Sequence, residues 1–170
     1  MQFVLEARDG KGHGGSGVKG EALIRETVES VCDLFERGDY NPTAIIDLGV
    51  LVANADGNID DQEIETLRVV FGRLLRTQLD GDLVEHLIVA SREVIDAAGV
   101  GSRLRLIAEI LRDCDAVEEG IIVALGIAYA SDGFSASERT LVSSLAHACS
   151  LPSSRLEELI ETVRLAVEAP

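Results

Sequence analysis

With 170 residues the chain suits one ordinary domain or two fused half-domains, and its 46% hydrophobic content can fill a substantial core. Only 4% of residues are aromatic and none is Trp, so that core rests on Leu, Ile, Val and Ala. Fifteen basic against thirty acidic residues give a net charge of −15, which excludes the basic face of a nucleic-acid binder, repels anionic membrane surfaces and favours cations or a basic protein partner.

The start, Met1 to Ala7, is too short and too acidic for a signal peptide, and no apolar run reaches transmembrane length. Residues 2–6 (QFVLE) are expected either to dock as a short strand or to stay disordered. Residues 8–20 (RDGKGHGGSGVKG) hold six glycines and read as a flexible N-terminal segment, residues 1–20, ahead of a single domain over 21–170. Gly10, Gly12 and Gly15 spell a formal G-x-G-x-x-G, but a nucleotide loop needs a βαβ unit around it, and none follows.

From Glu21 onward the periodicity is helical. Leu23, Val28, Val31 and Leu34 mark a first helix ending near Gly38, before the Asn41-Pro42 turn. A second runs from about Thr43 to Ala55. A third follows Asp60 and reaches about Arg76, with Ile64, Leu67, Phe71, Leu74 and Leu75 on one face. The fourth spans about 80–98 and stops at Gly99, and the fifth covers about 102–112. A very apolar sixth helix occupies about 117–130, the seventh about 137–149, and the last, behind Pro152, about 153–167. The expected fold class is all-α: a compact bundle of seven to eight helices.

The sequence repeats itself over about residues 42–76 and 117–151. Each copy holds an apolar helix, Asp-Gly, an apolar residue, a capping residue and, three places on, Glu. Asp60-x-x-Glu63 and Ser135-x-x-Glu138 are capping boxes, preceded by Ile59 and Phe134 at the staple position. Two such units imply a duplicated helix–loop–helix and two pseudo-symmetric halves. The apolar helices 43–55 and 117–130 should then pack together, with Gly49, Ala53, Gly126 and Ala128 allowing close backbone approach.

The first loop resembles the second half of a calcium-binding helical hand, with Asp56, Asp60 and Glu63 at the fifth, ninth and twelfth positions and Asn54 at the third. The first position falls on Val52, which cannot coordinate, and the second copy is one residue shorter between Asp132 and Glu138, so a paired calcium site is not expected. Two readings of Asp56, Asp60, Glu63, Asp132 and Glu138 stay open. They gather into an acidic cluster for a divalent cation, or they serve as turn and cap residues, with Gly57 and Gly133 supplying positive φ. No cofactor is otherwise implied.

No nucleophile elbow, phosphate loop or zinc helix occurs, and nothing in the sequence marks a base beside Ser91, Ser143 or Ser144, so no enzyme is expected. Cys32, Cys114 and Cys149 are widely spaced in apolar helical contexts and read as reduced core thiols, which fits a cytoplasmic protein.

The stretches LVANADGNIDDQEIETLRVVF (51–71) and VEEGIIVALGIAYASDGFSASERTLVSSLAHACSL (117–151) resemble the tellurite-resistance protein TerB family over about residues 42–160. That resemblance implies an all-helical fold of two pseudo-symmetric halves. It also implies an acidic surface for divalent cations, formed by Asp56, Asp60, Glu63, Asp132 and Glu138 and joined by Glu118 and Glu119. A third implication is a part in stress-response complexes that meet at the inner membrane face. The chain departs from the pattern at Ser135, which stands where the first copy has Asp60, and in its glycine-rich N-terminus. The function expected is a non-enzymatic binding or scaffold module of a bacterial, tellurite-type stress system that contacts a partner protein or divalent cation through its acidic Asp-Gly loops; the alternatives are a metal-sensing domain whose ion orders the two loops and an enzyme with an unrecognised carboxylate site. A protein partner is expected, a second copy of the chain being one candidate.

Overall fold

Residues 17–131 and 133–169 are described by a computed structural model, and every regular element among them is an α-helix. In chain order these are α1 (Gly17–Arg37), α2 (Thr43–Ala53), α3 (Asp61–Leu74), α4 (Gly81–Ala98), α5 (Val100–Asp113), α6 (Val117–Ala128), α7 (Ala136–Ala148) and α8 (Ser153–Glu168). No helix among them is long and apolar enough to cross a membrane. Helix α1 opens at Gly17, inside the stretch read as glycine-rich linker, because it continues along α6 and α8. The remainder of that stretch, with Gly10, Gly12, Gly15 and QFVLE, lies outside the described residues.

The centre of the bundle is dictated by two helices that are apolar all round. Every residue from Ala44 to Ala53 of α2 is buried, and α6 is buried from Gly120 to Ala128 except at Ile122. A helix without a polar face has to be covered on all sides. Accordingly α2 touches α3, α4, α5, α6 and α7, and α6 touches α1, α2, α3, α5, α7 and α8.

Exchanging α1 with α5, α2 with α6, α3 with α7 and α4 with α8 maps this contact scheme onto itself. Thus α1·α3 becomes α5·α7, α2·α4 becomes α6·α8, α1·α8 becomes α4·α5 and α2·α7 becomes α3·α6. Only α5·α6 has no counterpart, and there Gly120 leaves the room that Leu111 takes. The duplication therefore involves four helices per half, more than the helix–loop–helix legible in the sequence. The buried registers agree: Glu63, Leu67, Val70 and Phe71 of α3 match Glu138, Val142, Leu145 and Ala146 of α7, while Val28, Val31 and Phe35 of α1 match Leu104, Ile107 and Leu111 of α5.

One packing expectation is corrected. Helices α2 and α6 do pack together, but their glycines mainly admit side chains from other helices. A methyl on Gly126 would lie 2.6 Å from Ile24 Cγ1 of α1, and one on Gly49 would lie 3.0 Å from Leu67 Cδ2 and 3.2 Å from Phe71 Cε1 of α3.

Helices α1, α3, α5 and α7 end in one shared way. In each, the sixth residue from the end of the motif receives the closing bond: Tyr40 N–H to Phe35 O, Thr77 N–H to Gly72 O, Ala116 N–H to Leu111 O, and Leu151 N–H to Ala146 O. This is the Schellman arrangement, and its left-handed position is held by Asp39, Arg76, Asp115 and Ser150, with φ between 52° and 60°. A non-glycine residue there costs roughly 1–2 kcal/mol, so these reversals are imposed by packing of the helices on either side.

The duplication is broken by one buried polar trio. Asp47, 2% exposed in the middle of α2, accepts from Ser91 Oγ of α4 and from Arg103 of α5, whose Nε lies 2.7 Å from Asp47 Oδ2. The equivalent positions are Ile122 of α6 and Thr27 of α1, and the Thr27 hydroxyl bonds to the Leu23 carbonyl of its own helix. Two neutral groups thus occupy the place equivalent to the desolvated ion pair between α2 and α5. Removing either charge strands the other, at a cost of about 3–5 kcal/mol. A double-mutant cycle of Asp47→Ala and Arg103→Ala, read by urea unfolding, should show the pair losing clearly less than the sum of the two single changes; additive losses would contradict the pairing.

Candidate functional site

The two repeated loops leave α2 and α6 and enter α3 and α7. In the first, Gly57 takes φ 90°, and the Asp56 carboxylate accepts the Asn58 N–H at 3.0 Å, which tightens the turn. Asp60 Oδ1 then accepts the Glu63 N–H at 2.8 Å, while Glu63 Oε2 accepts the Asp60 N–H at 2.9 Å. In the second, Gly133 takes φ 110°, Ser135 Oγ accepts the Glu138 N–H at 3.2 Å, and Glu138 Oε2 accepts the Ser135 N–H at 2.7 Å. Both capping boxes are complete. Each loop spans the same length, from Ala53 to the cap at Asp60 and from Ala128 to the cap at Ser135. What differs is the glycine, which sits one position later in the second copy; that is the source of the shorter Asp132–Glu138 spacing.

The residues bracketing the caps have also diverged. Ile59 and Ile64 stand at the two staple positions of α3, both partly buried against the core. In the second copy the place of Ile64 is taken by Arg139, whose guanidinium lies 5.8 Å from the centre of the Phe134 ring. A cation–π contact replaces the apolar staple there, and Tyr129 packs on the same ring at 5.3 Å.

Glu63 and Glu138 are 3% and 4% exposed, although both are carboxylates. Burial is the main reason the Glu63 carboxyl is raised above its ordinary pKa; the charges of Asp60, Glu138 and Asp56 push the same way, against the Asp60 amide bond that favours the anion. Glu138 belongs to the other half of the molecule. Its charge acts on Glu63 across the halves, which meet through α2 against α7 and α3 against α6. Asp56, Asp60 and Glu63 thus share one loop and Glu138 joins them electrostatically, while Asp132 lies outside the described residues. Among the described residues no three or more His, Cys, Asp or Glu side chains are grouped closely enough to hold a metal ion.

Several sequence-level assignments are revised by this geometry. Val52, at the first position of the calcium-loop register, is fully buried. Asn54, at the third, accepts from Arg92 Nη2 of α4 at 2.8 Å, so a cation from this chain already sits at the rim of the first loop. The Nε of Arg92 is buried without a partner. Glu118 and Glu119 do not join the cluster: they stand at the opposite end of α6, about 15 Å of helix away from its loop. Arg155 of α8 holds Glu118 through two bonds of 2.7 and 2.8 Å, keeping its carboxyl below the ordinary range. Ser91 does have a carboxylate beside it, Asp47, but both are buried and Arg103 holds the same carboxylate, so the arrangement is structural.

The three thiols are free, and burial raises all of them, Cys149 to about 11. For Cys114 the flanking Asp113 and Asp115 add to the effect. A thiolate is the reactive form of cysteine, so none of the three is poised for nucleophilic chemistry.

A family model described as Tellurite resistance protein TerB matches residues 42–161, from the start of α2 into α8. No curated protein and no solved structure gives a match.

The raised Glu63 carboxyl has a consequence for stability. Its folded pKa lies above the unfolded value near 4.5, so the folded chain holds this proton more tightly and stability declines as pH rises through the folded value. Glu63→Gln keeps an acceptor for the Asp60 amide and removes the charge. Unfolding free energies of the two proteins from pH 4 to 8 should show the wild type losing ground to the variant as pH increases; a gain would contradict the assigned environment.

Proposed function

The chain belongs to the tellurite resistance protein TerB family, and from that premise we propose that it is a non-enzymatic binding or scaffold module of a bacterial stress-response system, using the acidic surface around its two Asp-Gly loops to take a positively charged group. The supporting observation is the pair of buried capping carboxylates, Glu63 and Glu138, of which Glu63 is further pressed by the charges of Asp60, Glu138 and Asp56. An incoming cation relieves that repulsion, and in water the relief is larger the more the anions are desolvated. Asp56 and Asp61 are exposed beside it and extend the negative surface to solvent. Asp132 is assigned to the same surface by the repeat.

A divalent cation is the first candidate for the positive group, with water completing its shell, because hard cations take oxygen ligands of this kind. A basic patch on a partner protein is the second. The raised thiols of Cys32, Cys114 and Cys149, disfavoured as nucleophiles, support a module that binds. The protein partner is placed, in this reading, in a complex at the inner membrane face, with this chain on its cytoplasmic side.

Calorimetric titration with Mg²⁺, Ca²⁺, Mn²⁺ and Zn²⁺ tests the cation. The variant of choice is Asp56→Asn with Glu63→Gln, which preserves the turn and cap acceptors while removing two charges. Saturable binding to the wild type, weakened at least about tenfold in the variant, is the expected result. No heat with any of the four ions, at concentrations up to the millimolar range, leaves the basic partner and discards the ion.

A further inference from the structure

The two pseudo-equivalent helices α4 and α8 cover α2 and α6 in the same manner but differ toward solvent: α8 exposes one large apolar residue, Leu165, among charged ones, whereas α4 exposes several in one line. On α8 the exposed positions include Glu157, Glu158, Glu161 and Thr162. On α4 they include a continuous apolar line, Leu83, Leu87, Ala90, Val94 and Ala97, in which only Leu87 is partly covered. Leu83 and Val94 are each 44% exposed, and Val89 beside the line is 52% exposed. The fold does not require this line, since the other half does without it.

Its spacing alternates four and three residues, the seam of two helices packed knobs-into-holes. Such a seam sits beside the core-facing residues Val84, Ile88, Ser91 and Ile95, so α4 is apolar toward both its own bundle and the outside. The line is also self-complementary when a second α4 runs antiparallel across it. Leu83 of each copy then meets Val94 of the other, and Leu87 of each meets Ala90 of the other, so large residues fill the space left by small ones. In the same register His86 of each copy stands opposite Glu93 of the other, an imidazole N–H against a carboxylate, and the two-fold repeats this contact.

We propose that α4 is a homodimer interface, formed by antiparallel packing of this line on the same line of a second copy. The contact is isologous, so each residue is used twice. One helix from each side makes a small interface, and two chains of charge −15 repel each other, so the dimer is of micromolar strength and is favoured by salt.

Sedimentation equilibrium of the full chain at roughly 100 μM and 0.3 M salt tests this. The expected mass is twice 18.2 kDa. Ala90→Glu, on an exposed helical position, should leave the melting temperature of the monomer unchanged and weaken the dimer at least about tenfold. His86→Glu should weaken it as well, and His86→Glu combined with Glu93→Lys should restore it, since only this register brings the two positions together. A monomer at that concentration, including one whose α4 face is covered by another protein, overturns the proposal. So does a dimer that Ala90→Glu leaves intact.

Discussion

Two helices with no polar side have only one stable place in water: inside other helices. That requirement on α2 and α6 organises the rest of the molecule. Six further helices are recruited to cover them, three from each half, and the cover is exchangeable between halves because the two central helices carry nearly the same demand. The loops that leave α2 and α6 inherit the arrangement. The packing of the central pair sets α2 against α7 and α3 against α6, and across the halves the charge of Glu138 acts on the Glu63 carboxyl. Burial of Glu63 and Glu138 accompanies the covering of the apolar helices, and it is the main cause of the raised Glu63 carboxyl.

Within this shared frame the copies have separated chemically. The α2–α5 contact keeps a buried ion pair where the equivalent α6–α1 contact has Ile122 and Thr27, and the first half has an apolar staple where the second has Arg139 over Phe134 and an aspartate cap where the second has Ser135. Buried ion pairs rarely raise stability over an apolar replacement, so Asp47–Arg103 is better explained as fixing the relation of α2, α4 and α5. It ties together one half's central helix and the first helix of the other half. The acidic loop of the first half, with Arg92 at its rim, is the richer of the two in oxygen donors. The outer surfaces diverge as well, since α4 carries a line of exposed apolar residues that α8 lacks.

What could be read from the chain was what lies close along it. The capping boxes need only residues three apart, and the helix ends follow Gly and Pro, so the fold class, the repeat and the pairing of Asp60 with Glu63 were all legible. The α1/α5 and α4/α8 duplications were not, because Val, Leu, Ile and Phe interchange freely in a core and no polar signature marks the register. Nor was the destination of a lone polar residue in an apolar helix: Asp47 finds Arg103 and Ser91, and Arg92 finds Asn54, only through the fold. Gly49 and Gly126 promised close backbones but serve side chains of α3 and α1, since the spacing of a helix says that room exists and not what fills it. The four left-handed helix ends escaped notice because Asp39, Arg76, Asp115 and Ser150 hold a place usually kept by glycine.

If the capping glutamates of the two halves sense one another, removing one charge has to change the acidity of the other. The carboxyl carbon of Glu63, followed by NMR through an acid titration, reads this directly in the wild type and in Glu138→Gln. A lower midpoint in the variant is the result that neighbouring boxes require. An unchanged midpoint, with both proteins folded, would mean that the halves do not bring their acidic loops together.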